Sequence, residues 1–327
     1  MSAGTERAIR SPGDAAGHGA IRIDRPPASS VLSRVLRRVR APFSGRRRLL
    51  AWAAGAAVLA LGPLGAWAFW LEPRSLLVRE TTLALPGWPE ADRGLRVAVL
   101  ADIHAGAPYI DRAKLRRIVD MTNAARPDAV VFLGDLVIQG VKGGRFIPPE
   151  DTCAILRDLR APLGLYAVLG NHDYWLDSRR VADALSGAGF RVLRDEATLV
   201  STAGRSFWIA GANDLMEGTP VLRRTLRDVP EGAPVLLLTH NPDIFPSVPG
   251  RVTLTLAGHT HGGQVSFPIL GRLIVPSLYG SRYAIGPVEE KGRRMFVATG
   301  IGTSMVPVRF RVPPEITLLT LVPAPSP

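Results

Sequence analysis

Five of the six histidines, His104, His172, His240, His259 and His261, stand directly after short apolar runs, each beside Asp, Asn or Gly. Only His18 does not. One such histidine is usually a surface or core residue with an ordinary hydrogen-bond partner. Five in one domain point to a shared site, because neutral imidazole is the commonest metal ligand among side chains.

The neighbours sharpen that reading. Asp102-Ile103-His104 puts two ligand-capable side chains two residues apart, and on an extended chain residues i and i+2 project to one face. Gly134-Asp135 adds a carboxylate able to bridge two cations. In Gly170-Asn171-His172-Asp173, Asn171 offers a neutral oxygen. Asp173 is expected to fix the tautomer of His172 and raise its pKa. Thr239-His240-Asn241 contributes another imidazole. Gly258-His259-Thr260-His261-Gly262-Gly263 repeats the i, i+2 spacing, with glycines that permit a tight turn. Cys153 is the sole cysteine, so no disulfide within the chain and no thiolate-rich zinc site is available. Nitrogen and oxygen donors without sulfur suit Mn, Fe, Zn, Co or Ni better than Ca or Mg alone. Two such ions about 3.5–4 Å apart can share a hydroxide and clamp the oxygens of an in-line phosphoryl displacement.

These residues need a scaffold that gathers strand ends. The runs at 95–102, 128–135, 165–173, 207–214, 234–243 and 252–261 are continuously apolar and turn polar only where they stop. Helix-like segments near 111–125, 151–159 and 178–188 alternate with the first three. Buried strands read this way, and the layout predicts an α/β sandwich with its chemistry at the carboxyl ends of the strands.

The ordered series DxH, GD, GNHD, H and GHTH over residues 95–261 resembles the calcineurin-like metallophosphoesterases. The resemblance implies two packed mixed β-sheets flanked by helices, and two divalent metal ions, Mn, Fe or Zn foremost. By position, Asp102, His104, Asp135 and His261 match the ligands of one ion. Asp135, Asn171, His240 and His259 match those of the other, with Asp135 bridging. His172 matches the catalytic histidine that assists the leaving oxygen, oriented by Asp173. Beyond GHTHGGQ, Pro268, Gly271, Pro276, Tyr279 and Gly280 continue a pattern similar to the bacterial YkuE/YaeI-like branch. So do Thr299-Gly300-Ile301-Gly302-Thr303, Pro307-Val308-Arg309-Phe310 and Pro314-Glu315-Ile316. The domain so defined runs over residues 75–323. Alternation in Val308-Arg309-Phe310-Arg311-Val312 would set Arg309 and Arg311 on one strand face. There they are either exposed strand charges, the commoner case, or contacts for substrate phosphate.

The net charge of +12 would suggest a nucleic-acid partner, but its distribution argues otherwise. The first 50 residues hold eleven Arg against Glu6, Asp14 and Asp24, which leaves only +4 for the rest. Residues 1–48 read as a disordered basic cytoplasmic tail, with a short basic amphipathic helix or merely solvated chain over 31–40. Residues 49–71 contain no charge and are long enough to span a bilayer. Trp67, Phe69 and Trp70 would anchor the far interface. The arginines before this span outnumber Arg74 and Arg79 after it. The positive-inside bias then puts the N-terminus in the cytoplasm and the catalytic domain outside a bacterial cytoplasmic membrane. Arg46-Arg47-Arg48-Leu49-Leu50 also resembles a twin-arginine export signal, with Ala66-Trp67-Ala68 as a cleavage-like site, so the segment is either a membrane helix or an export signal.

These readings converge on a membrane-associated phosphoesterase acting on a phosphate ester, a diester in preference, lipid- or envelope-linked. A non-catalytic envelope-binding or scaffold protein of the same fold is the alternative. It would be marked by loss of ligands or of the histidine in GNHD, and neither is lost. No nucleic-acid partner is expected.

Overall fold

The computed structural model describes residues 45–139, 143–202 and 204–325. The basic segment over residues 31–40 and most of the N-terminal tail lie outside these. The chain divides into a unit ending at Val58 and a second, from Leu59 to Pro327, that contains both sheets.

Among the described residues, twelve strands form two sheets of six. In the first sheet the order is β1 (Leu77–Leu85), β12 (Glu315–Pro323), β2 (Leu95–Leu100), β3 (Ala129–Phe132), β4 (Leu165–Ala167) and β5 (Phe190–Val192). Strands β2 to β5 run parallel, whereas β12 pairs antiparallel with β2 and parallel with β1. The second sheet is ordered β10 (Gly286–Glu290), β11 (Arg293–Val297), β9 (Leu254–Ala257), β8 (Val235–Leu238), β7 (Arg205–Gly211) and β6 (Glu196–Thr202). Its four central strands are parallel and its two edge pairs antiparallel.

The continuously apolar runs follow from burial of both strand faces. In β2, Val97 and Val99 enter the layer between the sheets with Phe207, Ile209, Leu236 and Leu254. Ala98 and Leu100 face the other way, toward Leu115, Ile118, Leu156 and Leu185 of the helices. In β8, Leu236 and Leu238 point inward, and Val235 and Leu237 pack outward with Leu226, Phe245 and Tyr283. Removing one such leucine side chain costs about 2–5 kcal/mol.

Among the described residues the helices begin with α1 (Gly45–Ala66), which continues as a π turn over Trp67–Leu71 and a last turn over Glu72–Arg74. Helical structure therefore encloses the charge-free segment. The stretch Gly45–Arg74 is long and apolar enough to cross a membrane. Helices α2 (Arg112–Ala124) and α3 (Pro149–Leu156) fall where the sequence puts them. Asp111 caps α2 by accepting from Lys114 N at 2.8 Å. Helix α4 (Asn171–Gly187) begins earlier than residue 178. Asp177 interrupts it with extended backbone and recaps it, its Oδ1 accepting from the amides of Arg179 and Arg180. The segment expected near 178–188 is thus the second half of α4. The turn before it carries Asn171, His172 and Asp173.

Candidate metal centre

The metal-ligand and histidine residues singled out from the sequence meet where the parallel strands end. The first sheet supplies Asp102 and His104 after β2, Asp135 after β3, and Asn171 and His172 after β4. The second sheet supplies His240 after β8, and His259 and His261 after β9. Every one is buried except His259, which is half-buried. The two sheets are joined at this point. The amide of His259 donates to both Asp102 oxygens, at 3.0 and 3.1 Å, and His240 Nδ1 donates to Leu133 O at 2.8 Å.

The backbone reaches this arrangement in a way that residue spacing does not anticipate. Asp102 and His104 are not on extended chain; both have left-handed backbone, with φ of 50° and 49°. Asp135, His259 and His261 do too, at 59°, 69° and 51°. Their convergence comes from successive tight turns rather than strand alternation. Each left-handed L-residue costs on the order of 1 kcal/mol, and such conformations concentrate at functional sites. Glycine is required alongside. At Gly134, whose φ is 91°, a Cβ would strike the backbone of Gly170, and at Gly170 it would strike Asp135 and His240.

Three sets of ligand atoms lie within 4.8 Å of one another: Asp102, His104 and His261; His104, Asp135 and His172; and Asp135, His240 and His259. Asp135 stands between the last two, its Oδ2 3.6 Å from His104 Nε2 and 3.4 Å from His240 Nε2. Hydrogen bonding shows what these atoms offer. His104 Nδ1 donates to Val137 O at 3.1 Å, which leaves Nε2 as a lone pair facing His261 Nε2 at 3.1 Å. His240 spends its Nδ1 proton on Leu133 O in the same manner. Its Nε2 faces Asn171 Oδ1 and His259 Nδ1, each at 3.1 Å. His261 Nδ1 is buried with no hydrogen-bond partner among the described residues. With His240 neutral, as a ligand must be, its Nε2 and the neighbouring oxygens are all acceptors turned inward, as expected where a cation belongs.

The electrostatics agree. Burial lowers the pKa of His104 to about 4 and of His259 to about 3, and holds His261 well below its ordinary value. All three stay neutral, the form that binds metal. For His240 burial is opposed and overcome by the Asp135 carboxylate, and its pKa rises to about 10. Without metal a proton is therefore held at His240, between Asp135 and Asn171. Burial raises Asp102 to about 7, a shift to which the charge of Asp135 adds.

Two expectations need correction. Asp173 does not orient His172. Its carboxylate accepts from the amides of Asp135, Leu136 and Gly170 at 2.9–3.0 Å, and so fixes the turn carrying Asp135 and caps α4. The partner of His172 is Gln139. Gln139 Nε2 donates to His172 O at 2.8 Å, which turns Oε1 toward His172 Nδ1 at 3.0 Å. His172 Nδ1 then carries the proton and Nε2 is left for chemistry. Burial lowers the His172 pKa rather than raising it. Nothing in Leu136-Val137-Ile138-Gln139 marks the glutamine beforehand.

Arg309 is neither an exposed strand charge nor a phosphate contact. It is fully buried, and its guanidinium donates to the carbonyls of Thr299, Gly300, Gly302 and Val312 at 2.6–3.1 Å. The turn it holds packs on the metal centre, for Gly302 N donates to Asp102 O at 2.7 Å. Arg309 N in turn donates to Ala68 O, at the end of the apolar helix. Glu72, also buried, accepts from Arg311 N at 2.9 Å and Val312 N at 2.6 Å.

The calcineurin-like phosphoesterase model matches residues 95–263, the segment that carries this centre. The chain is 33% identical over 284 residues to the uncharacterized metallophosphoesterase YkuE of Bacillus subtilis, spanning 84% of this chain and 97% of that one. It is 29% identical to phosphodiesterase YaeI of Escherichia coli, over 72% of this chain and 90% of that one. A Danio rerio transmembrane protein with metallophosphoesterase domain is 33% identical over 71% of this chain and 54% of its own length. The chain belongs to the calcineurin-like phosphoesterase family. It is a metal-dependent phosphoesterase, and its substrate is a phosphate ester.

Proposed function

We propose that this protein is a membrane-anchored phosphodiesterase holding two divalent cations, with Asp102, His104, Asp135 and His261 around one and Asp135, Asn171, His240 and His259 around the other. The observation that carries the reading is the convergence of lone-pair atoms on both sides of Asp135, their outward protons already committed to backbone carbonyls. Bound cations would lower the pKa of a water nucleophile and neutralise charge on the phosphoryl oxygens. The residues of the chain do the rest. Asp173 and Arg309 hold the two turns that aim the ligands. Gln139 keeps the Nδ1 proton of His172 in place, so a second proton taken up at Nε2 can pass to the departing oxygen as the P–O bond breaks; water supplies hydroxyl to phosphorus and its remaining proton passes to solvent. A lowered His172 pKa makes that proton easy to give. A cleft of about 320 Å³ beside Gln139, lined by Ile138, Arg145, Phe146 and Leu176, offers apolar surface and one cation to the second ester group of a diester.

The membrane reading is supported by the helix Gly45–Arg74 and by relatives named as transmembrane proteins. The charge bias puts the catalytic domain outside the cytoplasm, either on an anchor or after twin-arginine export. A lipid- or envelope-linked ester suits that placement, and the name of YaeI favours a diester. The test uses the full chain in detergent, stripped with chelator and reloaded with Mn, Zn or Fe. Bis(p-nitrophenyl) phosphate should be hydrolysed faster than p-nitrophenyl phosphate, and Asp135→Ala should hydrolyse neither. Faster monoester turnover would overturn the diester assignment. A C-terminal reporter active only in the cytoplasm should stay silent.

A further inference from the structure

The catalytic domain exposes large apolar side chains in one place far more than elsewhere. Phe267, Ile269, Leu270, Leu273, Ile274 and Leu278 lie on a single loop, and Met305 and Val306 on another. Leu278 is 91% exposed, Met305 84% and Ile274 80%. Ile269 and Met305 also hold left-handed backbone, at φ 70° and 61°. At Ile269 that conformation closes the turn in which Phe267 and Gly271 exchange backbone hydrogen bonds, and it leaves the side chain in solvent. Exposed apolar patches of this kind mark an interaction surface.

The two loops are one surface. Gln264 Nε2 donates to Val306 O, and Ser304 N donates to Gln264 Oε1 at 2.7 Å. Val265 bridges to Phe310, and the Phe267 and Phe310 rings lie 6.3 Å apart. The surface is continuous with the end of the apolar helix, since Arg309 N, next to Phe310, donates to Ala68 O at 2.9 Å. Around Ala68 the helix exposes Trp67, Phe69 and Trp70, the aromatic residues of a membrane interface. Arg74 stacks on Trp70 and Tyr109, 4.8 Å from each ring. The charge fits a bilayer too. Residues 264–285 and 303–313 include Arg272 and Arg311 and not one carboxylate. The same loop borders the metal centre, with Arg272 Nε donating to Gly262 O and Ser277 Oγ to Asp243 Oδ1.

We infer that loops 267–279 and 305–306 are a second membrane contact, immersed in the interface of an anionic bilayer beside the end of the helix. The metal centre then opens at the level of the lipid headgroups, and the substrate class is a phosphodiester carried by a membrane lipid. This rests on the anchored-phosphodiesterase reading and adds to it the surface that meets the lipid.

The test uses the full chain in vesicles of phosphatidylethanolamine and phosphatidylglycerol. Single cysteines at Ile274, Leu278 and Met305, with Leu199→Cys on strand β6 as the exposed control, are labelled with an environment-sensitive fluorophore. Native Cys153 is buried, with its thiol pushed up to about 12, and stays unlabelled. Labels at 274, 278 and 305 should be quenched by nitroxide lipids, and the label at 199 should not. Equal, weak quenching at all four overturns the proposal. So does shielding of the three from aqueous quencher without lipid quenching, which would indicate a second copy of the chain. The combined variant Ile274→Glu, Leu278→Glu, Met305→Glu should keep its rate on soluble bis(p-nitrophenyl) phosphate. Its rate on phosphatidyl-p-nitrophenol in vesicles should fall about ten-fold or more, a difference of roughly 1.4 kcal/mol. Parallel loss on both substrates, or on neither, contradicts the inference. Carbonate extraction of the wild type separates the two readings: release from vesicles defeats the anchor, whereas retention with unquenched loops defeats only the second contact.

Discussion

Two buried charge clusters lie on either side of the turn at Asp102–His104, and they meet the cost of desolvation in opposite ways. Around Arg309 one cation is enclosed by neutral carbonyls, with Glu72 nearby to accept backbone amides. Burial lowers its pKa only to about 10, so it stays charged. Every donor has an acceptor, and the cluster is complete as folded. On the other side, two carboxylates and four imidazoles turn ligand atoms toward one another, with one extra proton held at His240 in the metal-free protein. That cluster is complete only with added positive charge. The closed one positions; the open one binds. Gly302 connects them, giving its carbonyl to Arg309 and its amide to Asp102.

The largest effect should come from emptying the open cluster. Asp135→Ala removes the one carboxylate shared by two ligand sets, and should lower turnover by on the order of 10²–10³ or more, the scale of losing one transition-state charge contact. Metal analysis of the purified variant should show less than the wild-type content. Breaking the closed cluster should act on stability instead. Arg309→Met leaves the carbonyls of Thr299, Gly302 and Val312 without a donor and should cost about 3–5 kcal/mol, read as a lower denaturation midpoint. Arg309→Lys should rescue little of it, because one ammonium cannot serve carbonyls spread around a planar fork.

Smaller effects separate Gln139 from Asp173. Gln139→Ala should lower kcat about 10–100-fold with metal content intact, by freeing the tautomer of His172. Asp173→Asn should reduce stability through the lost amide acceptor at Asp135 and Leu136, and leave the shape of the pH–rate profile unchanged. A change in that profile with Asp173→Asn, and none with Gln139→Ala, would restore the role first expected of Asp173. Protons should also report on the open cluster. Below about 10 His240 keeps its proton in the metal-free protein, so metal uptake at neutral pH must release it. Affinity should therefore fall as pH is lowered, and calorimetry in buffers of different ionisation enthalpy should detect the release.

The two clusters also differ in how far residue types reveal them. Apolar runs ending in Asp, Asn or His mark the strands and the open cluster, because parallel strands buried on both faces stay apolar until they stop. The same pattern implies the wrong conformation at Asp102 and His104, since residue spacing is silent on whether a turn is extended or left-handed. Arg309 stands out in the sequence, but its burial and its role do not. Its partners are backbone carbonyls of residues 299–312, and backbone leaves no trace in residue type. Gln139 carries no such mark, because an amide four residues after Asp135 looks like any loop residue. Adjacency in sequence pairs Asp173 with His172, whereas α4 starts at Asn171 and turns the carboxylate back onto the amides before it.

The most direct measurement is native mass spectrometry of the full chain in detergent, titrated with Mn from the chelator-stripped state and assayed at each point on bis(p-nitrophenyl) phosphate. Two ions should bind per chain, with turnover tracking the doubly loaded species and Asp135→Ala reaching neither. Full turnover in the metal-free chain, or equal turnover in wild type and Asp135→Ala, would contradict a metal centre built on Asp135.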